Sequence, residues 1–288
     1  MAEPVLYLNG SFVPLSGACL SPLDRGFSLA DGVFETMVAV EDRVFRLDDH
    51  LARLLEGASV LELPLPAPSD LAWAVRETLR RNGLPRSVAR LTATRGVDPG
   101  RGLALPAQST PTVVVRVTPR ERLNNESGGR SIGLSIRVAS LRRNETSPIS
   151  RVKSLAYTEG IVARLEARRA GADDALLLNT QGNVACATSS NIFVVRSDRA
   201  VVTPPTSDGA LPGVARRTVL ELARRLGHVT AQESIRPSDV MRAEEVFLTN
   251  VVTGPVPVIS VDGHPVGTGK PGEVSRALAT SYAAAVEG

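Results

Sequence analysis

The stretch SPISRVKSLAYTEG, residues 147–160, contains Lys153, and the only other lysine in this chain of 288 residues is Lys270. Lysine and arginine together number 33, so the chain strongly prefers arginine. A bias of this kind explains why lysines are missing, but it does not explain why one remains at position 153. A lysine amine condenses with a carbonyl to form a Schiff base, and a guanidinium does not. Composition alone therefore leaves two alternatives for Lys153, a surface residue at a helix start or a nucleophile.

Length and composition limit the classes of protein to which the chain can belong. Hydrophobic residues make up 43% and charged residues 22%, which is typical of a globular protein. The net charge of +3 and the aromatic content of 3% argue against nucleic-acid binding. The sequence shows no signal peptide and no apolar run of about 18 residues, so we expect a cytoplasmic protein outside the membrane.

Cysteine and histidine give no sign of a metal site. Cys19 and Cys186 lie far apart in the sequence and suggest neither a ligand pair nor a disulfide framework. His50, His228 and His264 are scattered, and we expect them to be solvated or packing side chains.

Turn and periodicity signals predict a mixed α/β chain. Asn9-Gly10 and Asp262-Gly263 each predict the turn of a β-hairpin. Apolar periodicity predicts several helices, among them one at 48–62 and one around 153–170, which would contain Lys153. A polar stretch suggests the division into an N-terminal α/β domain at 1–120, a linker at 121–130 and a C-terminal domain at 131–288.

Six segments, taken in order, resemble the class IV aminotransferases, a family of enzymes dependent on pyridoxal 5'-phosphate (PLP). The family includes branched-chain aminotransferases, D-amino acid aminotransferases and 4-amino-4-deoxychorismate lyases. The segments are DRGFSLADGVFETM (24–37), FRLDDHLARL (45–54), RVKSLA (151–156), GNVACATSSNIFVV (182–195), DGALPGVARRTVLELA (208–223) and EEVFLTNVVTGPVPVISVDG (244–263).

This resemblance implies PLP fold type IV. In that fold a smaller N-terminal α/β domain joins a larger C-terminal domain with a barrel-like sheet, and PLP lies in the cleft between the two halves. It also implies a small-molecule substrate and a homodimer in which loops of the partner help to close the active site.

The resemblance also assigns a role to individual residues. Lys153 is the catalytic residue, which bonds PLP and moves protons at the substrate Cα, and no metal takes part. The residues implied to bind the cofactor are Arg53, Lys153, Cys186, Asn191, Val214, Ala215, Asn250 and Val251. The residues implied to bind substrate are Phe34, Arg95, Arg101 and Tyr157.

The sequence departs from the family pattern in two places. Cys186 stands where the family usually has a Glu that pairs with the pyridine nitrogen of the cofactor, and a neutral thiol does not replace that charge. Ala215 and Val251 stand where the aminotransferases often have Thr, so two hydroxyl contacts to the phosphate would be lost.

Two further segments favour the lyase over the aminotransferases. TRGVDPGRG (94–102) resembles the Arg-Gly…Gly-Arg-Gly segment of the lyase, and TNVVTGPVPV (249–258) resembles its last cofactor segment. The Arg-x-His pair of D-amino acid aminotransferases is missing. We therefore expect a 4-amino-4-deoxychorismate lyase that releases pyruvate and 4-aminobenzoate. The alternative is an aminotransferase acting on D-amino acids, branched-chain amino acids or amines. A non-catalytic relative is a third possibility, against which Lys153 and Arg53 argue.

Overall fold

The computed structural model describes residues 3–100, 102–120 and 133–288. The chain divides into two compact units. Unit 1 comprises Met1–Arg122 and Val152–Ala156, and unit 2 comprises Leu123–Arg151 and Tyr157–Gly288. The linker predicted at 121–130 lies outside the described residues.

Unit 1 is built on an antiparallel sheet that has six strands in the described part of the chain. Its elements are β1 (Val5–Leu8), β2 (Ser11–Pro14), α1 (Arg25–Leu29), β3 (Gly32–Val40), β4 (Arg43–Val44), α2 (Leu47–Val60), α3 (Pro68–Asn82), β5 (Arg86–Thr94) and β6 (Thr112–Pro119). The strand order is β2-β1-β6-β5-β3-β4. The predicted hairpin at Asn9-Gly10 is confirmed, since both residues have positive φ, as a tight turn between β1 and β2 requires.

The core of unit 1 lies between one face of the sheet and the helices α2 and α3. Alternate residues of β3, Val33, Met37 and Ala39, are buried there with Leu51 and Leu54 of α2. The period of two along β3 and the period of 3.6 along α2 meet at this interface. The helix predicted at 48–62 is thus confirmed to within two residues at its ends.

Unit 2 contains a mixed sheet of nine strands among the described residues. Its elements are β7 (Leu134–Arg143), α4 (Thr158–Arg169), β8 (Asp174–Asn179), β9 (Val184–Ala187), β10 (Asn191–Val195), β11 (Val201–Thr203), α5 (Val214–Arg225), β12 (Thr230–Gln232), α6 (Pro237–Arg242), β13 (Glu245–Asn250), β14 (Gly254–Val261), β15 (His264–Pro265) and α7 (Glu273–Glu287). The order is β12-β11-β10-β13-β14-β7-β8-β9, and β15 pairs with β14.

The sheet of unit 2 is curled into a half-barrel. Strand β9 stands at one end of the strand order, yet Ala187 N–H donates to Ser190 O and a short turn leads directly into β10. The hairpin predicted at Asp262-Gly263 joins β14 to β15. The predicted α/β fold class is therefore confirmed. In the described ranges, no helix has the length and apolar character needed to cross a membrane.

The helix predicted around 153–170 is wrong at its start. The α-helix begins at Thr158, and Lys153 lies before it, outside any helix and next to the bridged residue Ser154. Val33 of β3 pairs with Ser154 in an antiparallel bridge. A backbone that is paired with a strand cannot also make helical hydrogen bonds, so this long-range pairing outweighs the local helical pattern.

Candidate functional site

Lys153 is held beside β3 by two backbone hydrogen bonds. Phe34 N–H donates to Lys153 O at 3.0 Å, and Leu155 N–H donates to Gly32 O at 3.0 Å. The Lys153 Nζ atom lies 4.3 Å from the centroid of the Phe34 ring. The sequence-predicted residues Lys153 and Phe34 are therefore in contact within unit 1, with the amine over the face of the ring.

Arg90, to which no sequence motif points, lies over the same ring. Its Cζ atom is 3.8 Å from the Phe34 centroid, so it lies within about 8 Å of Lys153 Nζ, the most that the two centroid distances allow. Arg90 pairs across the sheet with Arg116, and both residues are exposed. The signal available in the sequence was an arginine between the core-facing residues Ala89 and Leu91 of β5, which places it on the face opposite the core. Arg90 thus brings one guanidinium, a group that can bind a carboxylate, close to Lys153.

Arg53 belongs to a buried cluster that we call the Glu35 cluster, made of Glu35, His50 and Arg53. Arg53 Nε donates to Glu35 Oε1 and Arg53 Nη2 donates to Glu35 Oε2, each at 2.7 Å. His50 Nδ1 lies 2.7 Å from Glu35 Oε2. The side chains of Glu35 and His50 are fully buried, and that of Arg53 is 9% exposed.

The protonation states of the Glu35 cluster follow from its contacts. Burial alone raises the pKa of Glu35, but the hydrogen bond from His50 and the charge of Arg53 outweigh it and lower that pKa to about 2. Glu35 is therefore ionised and accepts, so His50 Nδ1 carries the hydrogen. Burial lowers the pKa of His50. His50 Nε2 is buried and has no hydrogen-bond partner among the described residues.

The sequence itself carries a signal for this cluster. Glu35 occupies the core side of β3, in register with Val33 and Met37, where a carboxylate needs partners. His50 and Arg53 lie three residues apart on α2 and so share one helix face.

Arg95, predicted to bind substrate, lies in a second cluster, which we call the Asp31 cluster. Its Nε donates to Asp31 Oδ2 at 2.7 Å, and its Nη2 donates to Leu61 O at 2.6 Å, just beyond the end of α2. Arg25 Nε donates to the same Asp31 oxygen at 2.9 Å, and Arg25 Nη1 donates to Asp98 at 3.1 Å. Through these contacts the Arg95 guanidinium holds the loop of Asp31 beside the end of α2. Arg101, the companion prediction, lies outside the described residues.

In unit 2 the loop before α5 is fixed by Asn191. The Asn191 side-chain amide donates to Leu211 O at 2.9 Å, and a Cβ added to Gly213 would overlap Asn191 Oδ1. Gly213 is the N-cap of α5 and makes no side-chain cap hydrogen bond. The backbone N–H groups of Val214 and Ala215 therefore lie in a first helical turn without intrahelical partners, which is the usual setting for a bound anion.

Arg216 adds positive charge to the same helical turn. Its guanidinium donates to Pro204 O and to Gln232 Oε1, each at 2.8 Å. Burial lowers its pKa to about 10, so it remains charged at neutral pH. In the described part of unit 2 its recorded partners are uncharged oxygens, and the charge adds to the positive end of the helix dipole.

Asn250 shapes a second loop of unit 2. Its Oδ1 accepts from Val252 N–H and Thr253 N–H, both at 3.0 Å, and its Nδ2 donates to Ser190 Oγ at 3.2 Å. The carbonyl of Val251 accepts from Tyr282 Oη at 3.2 Å. The side chain of Asn250 thus forms the turn that presents Val251 and holds it beside the strand that begins with Asn191.

Cys186 lies on β9 opposite Leu177 and packs with Ala163 of α4. It is 8% exposed, and burial raises the pKa of its thiol, which is therefore neutral at pH 7. Arg143 Nη1 and Glu159 Oε2 form an ion pair at 2.9 Å, and both charges act on the thiol. Tyr157 is the residue before α4, also in unit 2. The described residues contain no cluster of side chains suited to a metal ion.

The family model described as "Amino-transferase class IV" matches residues 32–261. A protein of Methanocaldococcus jannaschii named as a putative branched-chain-amino-acid aminotransferase is 34% identical over 96% of this chain and 94% of its own length. The D-alanine aminotransferase of Bacillus licheniformis is 29% identical over 95% of this chain and 94% of its own length.

Solved structures show the same fold. The branched-chain amino acid aminotransferase of Escherichia coli superposes with a TM-score of 0.90 at 25% identity, over 98% of this chain and 93% of that one. The branched-chain aminotransferase of Thermoproteus uzoniensis, solved with norvaline, gives a TM-score of 0.88 at 29% identity, over 98% of this chain and 94% of that one. The chain therefore belongs to the class IV aminotransferases, which are PLP-dependent enzymes.

Proposed function

We propose that this chain is an aminotransferase that moves the amino group of a branched-chain amino acid to a 2-oxo acid. The observation that carries the proposal is the arrangement on Phe34. Lys153 Nζ lies over the Phe34 ring, and the guanidinium of Arg90 lies over that same ring. A primary amine and a carboxylate-binding group within about 8 Å suit a substrate whose reacting carbon carries both an amino group and a carboxylate.

The residues present fit PLP. Lys153 supplies the primary amine, and Arg53 supplies a planar guanidinium for a phosphate dianion. The loop before α5 supplies the backbone N–H groups of a helix N-terminus, and Gly213 lets this loop pack closely against the Asn191 side chain, which a Cβ would overlap. We propose that Lys153, Arg53, Val214, Ala215 and the Asn250–Val251 turn hold the cofactor.

When bound, PLP supplies a carbonyl that condenses with amines and a ring that withdraws electrons from the substrate Cα. Lys153 removes and returns the proton at that Cα, for which a primary amine is suited. Phe34 walls the substrate side and limits the motion of the Lys153 amine. Arg90 orients the substrate through its carboxylate.

Cys186 sets this chain apart from the usual pattern of the family. The neutral thiol puts no carboxylate at a position where the family usually has Glu. We propose that Cys186 packs against the ring side of the cofactor site without supplying charge, and that Tyr157 contributes to the substrate side.

The comparisons support the aminotransferase alternative over the lyase. The relatives and structures named above are aminotransferases of branched-chain amino acids and of D-alanine. The lyase hypothesis drawn from the segments 94–102 and 249–258 finds no support in them.

We also propose that the enzyme is a cytoplasmic homodimer. Two segments of unit 1 are joined by the hydrogen bond from Asp98 N–H to Leu23 O. Together they expose a group of large apolar side chains, of the kind that marks interaction surfaces. The exposed residues are Leu20, Leu23, Phe27, Leu29, Val97, Leu103 and Leu105.

The function is tested by incubating the PLP-loaded protein with single amino donors and measuring pyridoxamine 5'-phosphate by chromatography. We expect L-leucine, L-isoleucine or L-valine to yield it. Yield from D-alanine alone would replace the branched-chain assignment with a D-amino acid one. Release of 4-aminobenzoate from 4-amino-4-deoxychorismate, with no donor active, would overturn the aminotransferase proposal.

The role of Lys153 is tested with the two lysines of the chain. Lys153→Ala should lower kcat at least about a thousandfold while the circular dichroism spectrum stays unchanged, because no other amine replaces it. Lys270→Ala is the matched control, since Lys270 is exposed, and it should keep wild-type activity. Substantial turnover by Lys153→Ala would contradict the role.

A further inference from the structure

We propose that Glu35 is a positioning residue that sets the direction of the Arg53 guanidinium toward the cofactor phosphate, and that His50 fixes Glu35 for this purpose. The proposal rests on the proposed function, in which Arg53 is a phosphate ligand. Glu35 touches neither cofactor nor substrate in this scheme and acts through Arg53.

The hydrogen bonds define which edge of Arg53 is held. Both Arg53 Nε and Arg53 Nη2 donate to Glu35, at 2.7 Å each. Two parallel bonds between a planar guanidinium and a planar carboxylate fix their mutual orientation. The edge that carries Nη1 is consequently directed away from Glu35. A single hydrogen bond would leave the guanidinium able to turn about that bond.

Glu35 itself is fixed from its other side. His50 Nδ1 donates to Glu35 Oε2 at 2.7 Å, and the side chains of both residues have no exposed surface. His50 does this although its Nε2 stays buried with no partner among the described residues. Leaving a buried acceptor unpaired costs free energy. The fold accepts this cost at His50 Nε2 and keeps the hydrogen bond from His50 Nδ1 to Glu35.

The Asp31 cluster shows that a buried carboxylate in unit 1 does not need this arrangement. Asp31 binds Arg25 and Arg95, and both arginines also donate to backbone carbonyls of neighbouring loops. In that cluster the arginines hold backbone carbonyls in place as well as the carboxylate. In the Glu35 cluster the recorded bonds of Glu35 go to two side chains of the helix α2, one of which is the implied phosphate ligand.

The test uses Glu35→Asp, which keeps the negative charge and shortens the side chain by one methylene. The charge felt by a phosphate stays the same, while the two-bond clamp on Arg53 is lost. The readout is the ratio of two affinities measured on cofactor-depleted protein, that for PLP and that for pyridoxal, which lacks the phosphate. We expect the preference for PLP to fall about tenfold or more, as is typical when a residue that orients a ligand group is changed.

The matched control is Asp31→Glu, which also keeps the charge and changes the length by one methylene in the other cluster. We expect Asp31→Glu to lower the unfolding temperature and to leave the preference for PLP unchanged. A preference in Glu35→Asp within twofold of wild type overturns the proposal, as does an equal fall in the control. A purely structural role for Glu35 would weaken PLP and pyridoxal binding together.

Two further variants separate this inference from the proposed function. Arg53→Ala should abolish most of the preference for PLP, and Glu35→Asp should add nothing in that background. If Arg53→Ala keeps the preference, the phosphate role of Arg53 fails. If Arg53→Ala loses it and Glu35→Asp does not, only the positioning role fails. Where Glu35→Asp does not fold, His50→Leu decides. We expect a smaller fall in the preference for PLP, because Glu35 keeps both hydrogen bonds to Arg53, and an unchanged preference would contradict the proposal.

Discussion

The Glu35 and Asp31 clusters are two solutions to one problem, a carboxylate buried in unit 1. Glu35 is fully buried and is held by one arginine and one histidine of a single helix. Asp31 is 11% exposed and is held by two arginines from different elements, Arg25 at the start of α1 and Arg95 just after β5. Both carboxylates have a lowered pKa because their cationic partners outweigh the effect of burial.

The difference lies in how much each cluster depends on a single partner. Asp31 keeps one guanidinium if the other is removed, and both arginines keep their bonds to backbone carbonyls. Glu35 keeps only a hydrogen bond from a neutral imidazole if Arg53 is removed. A buried charge with one cationic partner is vulnerable to loss of that partner, whereas a shared charge is not. The Asp31 cluster thus stabilises loops, whereas the Glu35 cluster maintains one orientation of one residue.

The largest effect should come from removing one arginine from each cluster. Arg53→Ala leaves the ionised Glu35 buried without a cationic partner, and we expect it to cost about 3–5 kcal/mol of unfolding free energy. Arg95→Ala leaves Asp31 with Arg25 and should cost about 1–3 kcal/mol. Urea unfolding of the cofactor-free proteins at neutral pH measures both.

The order of these two values follows from the number of cationic partners that each carboxylate keeps. Equal costs, or a larger cost for Arg95→Ala, would contradict this order. They would show that losing the bonds of Arg95 to Leu61 O and Glu62 O costs at least as much unfolding free energy as leaving Glu35 without a cationic partner. Arg53→Ala should also raise the pKa of Glu35, so its cost should shrink as the pH falls.

A second effect concerns acid. The pKa of Glu35 is lowered from 4.5 to about 2, so its ionised form stabilises the fold above pH 4.5, and this contribution is lost as the pH falls toward 2. The full contribution is on the order of 3 kcal/mol, of which about 2 kcal/mol should be gone by pH 3. Glu35→Gln lacks this titration, so its free energy of unfolding should depend less on pH between 6 and 3 than that of wild type.

Asp31→Asn is the comparison variant in the acid experiment, since it removes the carboxylate of the other cluster. Burial raises the pKa of Asp31, but Arg95 and Arg25 lower it by more, so this variant should also lose part of the pH dependence. Wild type and Glu35→Gln with parallel pH profiles would show that folding does not lower the pKa of Glu35. Its contacts with Arg53 and His50 would then not stabilise the ionised carboxylate, which would remove the basis for the clamp.

The sequence predicted those features that depend on local chemistry. The hairpin at Asn9-Gly10 follows from two residues that tolerate positive φ, and α2 follows from its own apolar periodicity. Lys153 was singled out by its rarity, although the helix predicted to contain it begins only at Thr158 and Lys153 lies beside β3. The resemblance placed Arg53 on a helix, which the structure also shows.

What the sequence did not predict depends on contacts between distant residues. The bridge from Val33 to Ser154 joins residues more than a hundred positions apart and replaces the first turn of the predicted helix. Arg95 was assigned to substrate by a motif, but its neighbours Asp31 and Leu61 come from other parts of the chain. Arg90 and Phe34 meet only because β3 and β5 pair in one register.

The smallest effect separates the two clusters by spectroscopy rather than by stability. His50 has no counterpart in the Asp31 cluster, and burial lowers its pKa because a charged imidazole would be desolvated. In ¹H–¹⁵N spectra, Nε2 of His50 should keep the shift of a deprotonated ring nitrogen through pH 6.5, where an ordinary histidine is half protonated. The signal is assigned by its disappearance in His50→Asn. A midpoint at or above pH 6.5 would mean that His50 carries a proton on both nitrogens, so that Glu35 would have two cationic partners, as Asp31 has, and the contrast between the clusters would vanish.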